Sequence, residues 1–196
     1  MVNDDTLPFD TAHQALMFAF NFSASTLDRP LTSRLADKYR PTGKGLAGLD
    51  GAAQAGMILW QLRVLSNLHQ AILCARFSPQ DEPCPCCQNP KMRDQWMAAV
   101  RVISDAAVTS ALSGHLTNRA LRDGLVARYF GRKVHLQELA ARAGVHRDTA
   151  SSHNRMIVDW LRGTRDMVRK GELVRQGTVG EEQRAMNAAE GVLALM

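Results

Sequence analysis

The chain has 196 residues, 45% hydrophobic and 22% charged, a balance that excludes wholesale disorder and fits one good-sized domain or two small ones. Its longest apolar runs, Ala15–Phe20 and Ala55–Trp60, are six residues each, against the ~20 that a membrane span requires. Three of its four cysteines fall within Cys84–Cys87, which is no spaced disulfide framework, and the opening Met1–Asp5 lacks the basic start of a secretory signal, so a reducing cytoplasm is the expected location.

The net charge of +5 is unevenly spread. Residues 1–90 carry 7 Lys/Arg and 8 Asp/Glu, whereas residues 91–196 carry 17 and 11. Between His115 and Lys170 the count is 12 basic to 5 acidic, so a polyanionic partner is expected for the C-terminal half only.

Apolar residues recur at three and four rather than at two, and no strand is predicted. A first helix starts after Asp10 or Thr11 and carries Leu16, Phe18 and Phe20. A second covers Thr32–Lys38, followed by a basic loop, Arg40–Gly45, that lacks the spacing of a Walker phosphate loop. The longest predicted helix runs from Gly51 to Arg76, with Ile58, Leu62, Leu65, His69 and Ile72 on one stripe. His69 on that stripe reads as a satisfied core histidine. Residues 78–91 form a cysteine-bearing loop, because Pro83, Pro85 and Pro90 forbid a continuous helix. A further helix, Met92–Leu112, aligns Trp96, Val100, Ile103, Ala107 and Ala111. The expected fold is all-α: a helical domain over 1–114, a DNA-binding module over 115–171 and a C-terminal tail over 172–196 with a short helix, Glu181–Met196, that packs back on the body or, alternatively, serves self-association or docking on a larger partner.

Cys84 and Cys87 have the CxxC spacing that lets two thiolates face one tetrahedral Zn2+. Cys74, near the end of the long helix, is the natural third ligand and Cys86 or His69 the fourth, so Cys74, Cys84, Cys86 and Cys87 are the candidate ligands of a structural zinc. Free thiols are the alternative. No HExxH and no convergent acid–base set appears, and the chain reads as a non-enzyme.

The segment Leu136–Arg155 carries the most specific pattern. Leu136, Leu139 and Ala143 make a short apolar stripe, Ala140 is small where a second helix crosses, and Gly144 suits a left-handed turn. Val145 plugs the turn, and a second helix begins near Arg147 with Ala150, Ile157, Trp160 and Leu161 inward. This order matches a DNA-binding helix-turn-helix whose second helix enters the major groove. His146, Arg147, Asp148, Ser151, Ser152 and Arg155 then face outward. Arg147 suits guanine N7 and O6, Asp148 suits cytosine N4, and the serines suit phosphate or either base. His153 reads as half-buried packing. A preceding helix, Asn118–Phe130 capped by Thr117, carries Arg119, Arg122 and Arg128, continued by Arg132 and Lys133, a stripe expected to contact phosphates. Arg169–Glu172 is expected to end the recognition helix or its extension, with Gly171 as the stop.

The order of features (Lys38, Tyr39 and Arg40, a loop, a long helix ending near a cysteine, a loop with Cys84 and Cys87, then a basic helix-turn-helix) resembles the lambdoid phage Q-type late antiterminators. The resemblance covers about Lys38 to Arg155 and lacks the second CxxC of the lambda type. It implies a protein that binds double-stranded promoter-region DNA in a bacterial host and engages sigma-containing RNA polymerase holoenzyme. Such a protein then travels with the enzyme so that terminator hairpins fail to form. It carries over Cys84 and Cys87 as zinc ligands and the helix-turn-helix positions as DNA contacts. A dimeric operator-binding repressor or activator, an adaptor built on the same three helices, and a thiol or metal enzyme are the other readings.

Overall fold

A computed structural model describes residues 9–27, 48–114, 118–169 and 172–194. The predicted Thr32–Lys38 helix, the Arg40–Gly45 loop and the Lys38–Arg40 motif lie outside these residues, as do 115 and 171, where the expected segment boundaries fall.

Helix α1, Ala12–Leu27, begins where the sequence places it: Thr11 Oγ1 accepts from Gln14 N at 3.2 Å, and Gln14 Oε1 accepts from Asp10 N at 3.0 Å. The first bond satisfies an amide that the opening turn leaves without a helical partner, and the second ties the chain entering the helix to that turn. The predicted Gly51–Arg76 helix is two helices. Helix α2 spans Gly48–Gln61, a 3-10 turn covers Leu62–Val64, Leu65 is extended, and α3 runs Asn67–Phe77. Ser66 causes the restart, its Oγ accepting from His69 N at 3.2 Å, and Gln70 Nε2 donates to the freed Leu65 carbonyl at 2.7 Å. The apolar stripe survives the break, with Ile58, Leu62 and Ile72 all buried, and so gives no warning of it.

Between α3 and α4 (Asp94–Ser110) the chain makes an unpredicted hairpin of β1 (Asp81–Pro83) and β2 (Pro90–Met92), with Pro83 opposite Pro90. Trp96 anchors α4: it is fully buried, and its indole N–H donates to Ala75 O of α3 at 3.0 Å. Burial of side chains such as Leu16, Ile58, Ile72 and Ile103, all at most 1% exposed, contributes about 2–3 kcal/mol each.

Helices α5 (Arg119–Tyr129), α6 (Leu136–Ala143) and α7 (Arg147–Arg162) pack on one another, α5 also lying on α4. Asn118 caps α5, accepting from Leu121 N at 3.0 Å, in place of the expected Thr117. The same side chain donates to Ala143 O at 3.3 Å and so ties the start of α5 to the end of α6.

Helix α7 ends at Arg162 rather than continuing toward Gly171. Gly163 has φ 84° and ψ 170°, a region open only to glycine, and a Cβ there would lie 2.2 Å from Thr178 O. A hairpin follows instead: β3 (Gly163–Thr164) pairs with β6 (Thr178–Val179), and β4 (Met167–Arg169) pairs with β5 (Glu172–Arg175), with an irregularity between Met167 and Val168. Thr164 Oγ1 accepts from Thr178 N at 3.2 Å, and Asp166 Oδ1 accepts from Gly177 N at 2.6 Å. The molecule is therefore mostly helical with short two-stranded ladders, not purely helical.

Helix α8, Glu181–Leu193, packs back as expected, with Ala185 and Ala189 fully buried and contacts to α3 and α7. An ionic and aromatic knot holds its start. Glu182 accepts from Arg76 Nε and Tyr129 Oη, and the guanidinium of Arg76 lies 5.6 Å from the Tyr129 ring centre and 5.2 Å from that of Phe130. Burial, followed by the hydrogen bond to Glu182, pushes the Tyr129 pKa up to about 12. No helix of the described residues is long and apolar enough to cross a membrane.

Candidate nucleic-acid interface and cysteine turn

The turn between α6 and α7 follows from three residues. Gly144 takes φ 67° and ψ 28°, the left-handed conformation that costs an L-residue with a Cβ. Val145 N donates to Ala140 O at 3.0 Å, the six-to-one bond of a Schellman ending, and Val145 itself packs against the core. His146 then caps α7, its Nδ1 accepting from Asp148 N at 3.3 Å. His146 is thus an exposed cap as well as a surface residue, a local role that the outward-facing expectation missed.

From that start α7 divides cleanly. Ala150, His153, Ile157 and Leu161 are buried and Trp160 is half-buried, in register with the 3.6-residue repeat. Arg147, Asp148, Ser151, Ser152 and Arg155 are exposed on the other side. The side chains of Asp148 and Arg155 are 88% and 80% exposed, and Arg155 Nε lies 3.8 Å from Asp159 Oδ2 one turn on. The close fit of this unit depends on small residues: a Cβ on Gly124 of α5 would meet Leu139 Cδ2 of α6 at 2.5 Å.

The basic stripe on and after α5 is a different case. Arg122, expected at a phosphate, is buried, and its Nη2 lies 3.4 Å from Asp105 Oδ1 of α4. Arg119 reaches the other oxygen of the same carboxylate at 3.0 Å, and Arg132 reaches Asp81 Oδ1 of β1 at 2.8 Å. Arg128 Nη1 donates to Val134 O at 2.8 Å, bracing the loop into α6. Lys133 is exposed. Arg165, which lies inside the expected extension of the recognition helix, is instead exposed on the second hairpin. Its hairpin did carry a signal, with β-branched Thr164, Val168, Val174, Thr178 and Val179 between Gly163 and Gly180.

The cysteine turn sits at the tip of the first hairpin. Cys84 N donates to Asn89 O at 2.8 Å, Gln88 N donates to Cys84 O at 2.9 Å, and Gln88 takes φ 59° to close the turn. The Sγ atoms of Cys84, Cys86 and Cys87 thereby lie within 4.8 Å of one another, close enough to hold a metal ion, with Cys84 and Cys86 3.1 Å apart. Hydrogen bonding from the Cys86 thiol, then from the Cys86 and Cys87 backbone, lowers the Cys84 pKa to about 7.

Cys74 does not join them. It is buried in α3, its Sγ is 3.6 Å from Ser78 Oγ, and burial pushes its thiol pKa up, against the thiolate that a metal needs. His69, expected as a core histidine, is only half-buried, and its Nε2 faces Glu181 Oε2 at 3.7 Å.

Three contacts brace the hairpin. Gln80 Nε2 donates to Phe130 O at 2.7 Å, Arg132 pairs with Asp81, and Arg93 Nε lies 3.5 Å from Glu82 Oε2. No protein-family model matches this chain, and no curated protein or solved structure matches it significantly.

Proposed function

We propose that this chain is a DNA-binding transcription regulator in which α6 and α7 form a helix-turn-helix and the first turns of α7 read base edges in the major groove. The observation that carries the reading is the division of α7. One side holds buried Ala150, His153, Ile157 and Leu161, and the other leaves Arg147, Asp148, Ser151, Ser152 and Arg155 exposed directly after the left-handed turn at Gly144. In this reading Arg147 recognises guanine and Asp148 accepts from cytosine, while Ser151, Ser152 and Arg155 contact phosphate or base. Exposed Arg128, Lys133 and Arg165 add positive charge for the backbone.

The more specific role follows from the resemblance to Q-type antiterminators: binding duplex DNA in a promoter region, joining sigma-containing RNA polymerase holoenzyme, and carrying it past terminators. The metal held by the cysteine turn is, in this reading, a structural Zn2+, with Cys84 and Cys87 as its first ligands.

Transcription by bacterial holoenzyme through a downstream terminator, with and without the purified protein, tests the role. Readthrough that depends on the promoter-proximal DNA is the expected result. Salt-dependent duplex binding with unchanged termination would leave an operator-binding repressor or activator. Absence of binding to any duplex at low salt would remove the DNA reading altogether.

A further inference from the structure

The turn at the tip of the first hairpin brings three sulfur donors together. Cys84, Cys86 and Cys87 group within 4.8 Å, and among the described residues no other His, Cys, Asp or Glu joins them. The two residues that the sequence offers as completing ligands are engaged elsewhere, Cys74 with Ser78 and His69 with Glu181. Cys86 and Cys87 are exposed and Cys84 is only half-buried, so the open side of the sulfur triangle faces water.

Neighbouring cysteines crowd each other around one ion when the chain is extended. Here the bond from Gln88 N to Cys84 O folds the segment so that the adjacent pair and Cys84 converge. With Zn–S bonds of about 2.3 Å and tetrahedral angles, sulfurs on one ion stand ~3.8 Å apart, inside the 4.8 Å over which these three already group.

We propose that this turn is a three-thiolate site for a thiophilic divalent cation of the zinc class. Cys86 is a ligand in its own right, and the fourth tetrahedral position is open, held by water and exchangeable for an external nitrogen or sulfur donor. This rests on the metal reading above and is independent of the DNA reading. It differs from a closed structural site, in which four protein ligands leave the ion no vacancy. It also differs from a plain CxxC pair, in which Cys86 would be a bystander. The braces at Gln80, Asp81 and Glu82 hold the hairpin on α4 and the end of α5, which makes the open position a fixed feature of the surface.

The test is a titration of the reduced, metal-stripped full chain with Co2+ as the optical probe. One equivalent is expected to bind with tetrahedral d–d bands and sulfur-to-cobalt charge transfer. Cys86→Ser should lower the charge-transfer intensity by about one third, whereas Cys74→Ala should leave it unchanged. Added imidazole should shift the d–d bands. An unchanged spectrum in Cys86→Ser, a loss of intensity in Cys74→Ala, or bands indifferent to imidazole would each overturn the three-thiolate open site while leaving a metal site in place. Failure to take up Co2+ would overturn the metal reading with it.

Discussion

Helices α5 and α7 both carry arginines, and Arg122 of the first and Arg147 of the second sit in opposite surroundings. On α5 and in the loop after it, Arg119 and Arg122 share the Asp105 carboxylate, and Arg132 reaches across 51 positions to Asp81. Those cations hold α5 to α4 and to the cysteine hairpin. On α7, Arg147 stands exposed in the first turn of a helix whose other side is core, whereas Arg155, two turns on, has Asp159 3.8 Å away. A guanidinium that has found a carboxylate of its own protein already has its charge compensated; one left in water keeps it for an outside anion. The contrast separates a structural strut from a surface cation left to solvent, and a count of basic residues cannot.

Single substitutions test that contrast. The largest effect is expected from Arg122→Ala, which removes a buried ion-pair member and its packing and should lower stability by about 3 kcal/mol in urea unfolding. If Arg122→Ala instead folds normally and loses salt-dependent DNA affinity, the strut assignment is wrong. Arg147→Ala should do the reverse. Its midpoint should stay within about 0.5 kcal/mol of the parent, while preference for a cognate over a scrambled duplex falls by ~1–3 kcal/mol. An equal loss on both duplexes would make Arg147 a phosphate contact.

Tyr129→Phe tests the knot that joins α3, α5 and α8. Loss of its hydrogen bond to the Glu182 carboxylate should cost about 1–2 kcal/mol at neutral pH. A tyrosine held at about 12 in the folded chain, above its ordinary value of 10.0, favours folding below pH 10 and loses that contribution as pH rises toward 12. Stability of the parent should therefore fall across that window, and the part due to Tyr129 should be missing in the variant. Arg119→Ala should change stability least, by about 0.5 kcal/mol or less, because its pair with Asp105 is more than half exposed on both sides. A drop as large as that of Arg122→Ala would mean that the two arginines act as one buried unit.

Much of the helical framework was legible. The start of α1 at Thr11, the anchoring face of α4 with Trp96, Val100, Ile103 and Ala107, and the turn at Gly144 all follow from local rules of capping, periodicity and glycine geometry. The break at Leu62–Ser66 was hidden because the same side chains stay buried across it. The two hairpins were hidden because strands of two to four residues are too short to show a period. In the second of these, the charged residues among Thr164, Val168, Val174 and Thr178 masked the β-branched pattern.

What the sequence determined alone is what one helix or one turn can enforce. It sets which face of α7 is apolar, where the chain takes a left-handed step, and that three cysteines share one short loop. These depend on residues a few positions apart, whose geometry the backbone dictates. Tertiary structure decided the rest. It placed Arg122 and Arg132 on distant acids, turned Cys74 into the core and away from the sulfur triangle, ended α7 at the glycine that meets Thr178, and left Arg147 in water. Each of these depends on which side chain lies opposite in space, and that pairing exists only after the helices have packed.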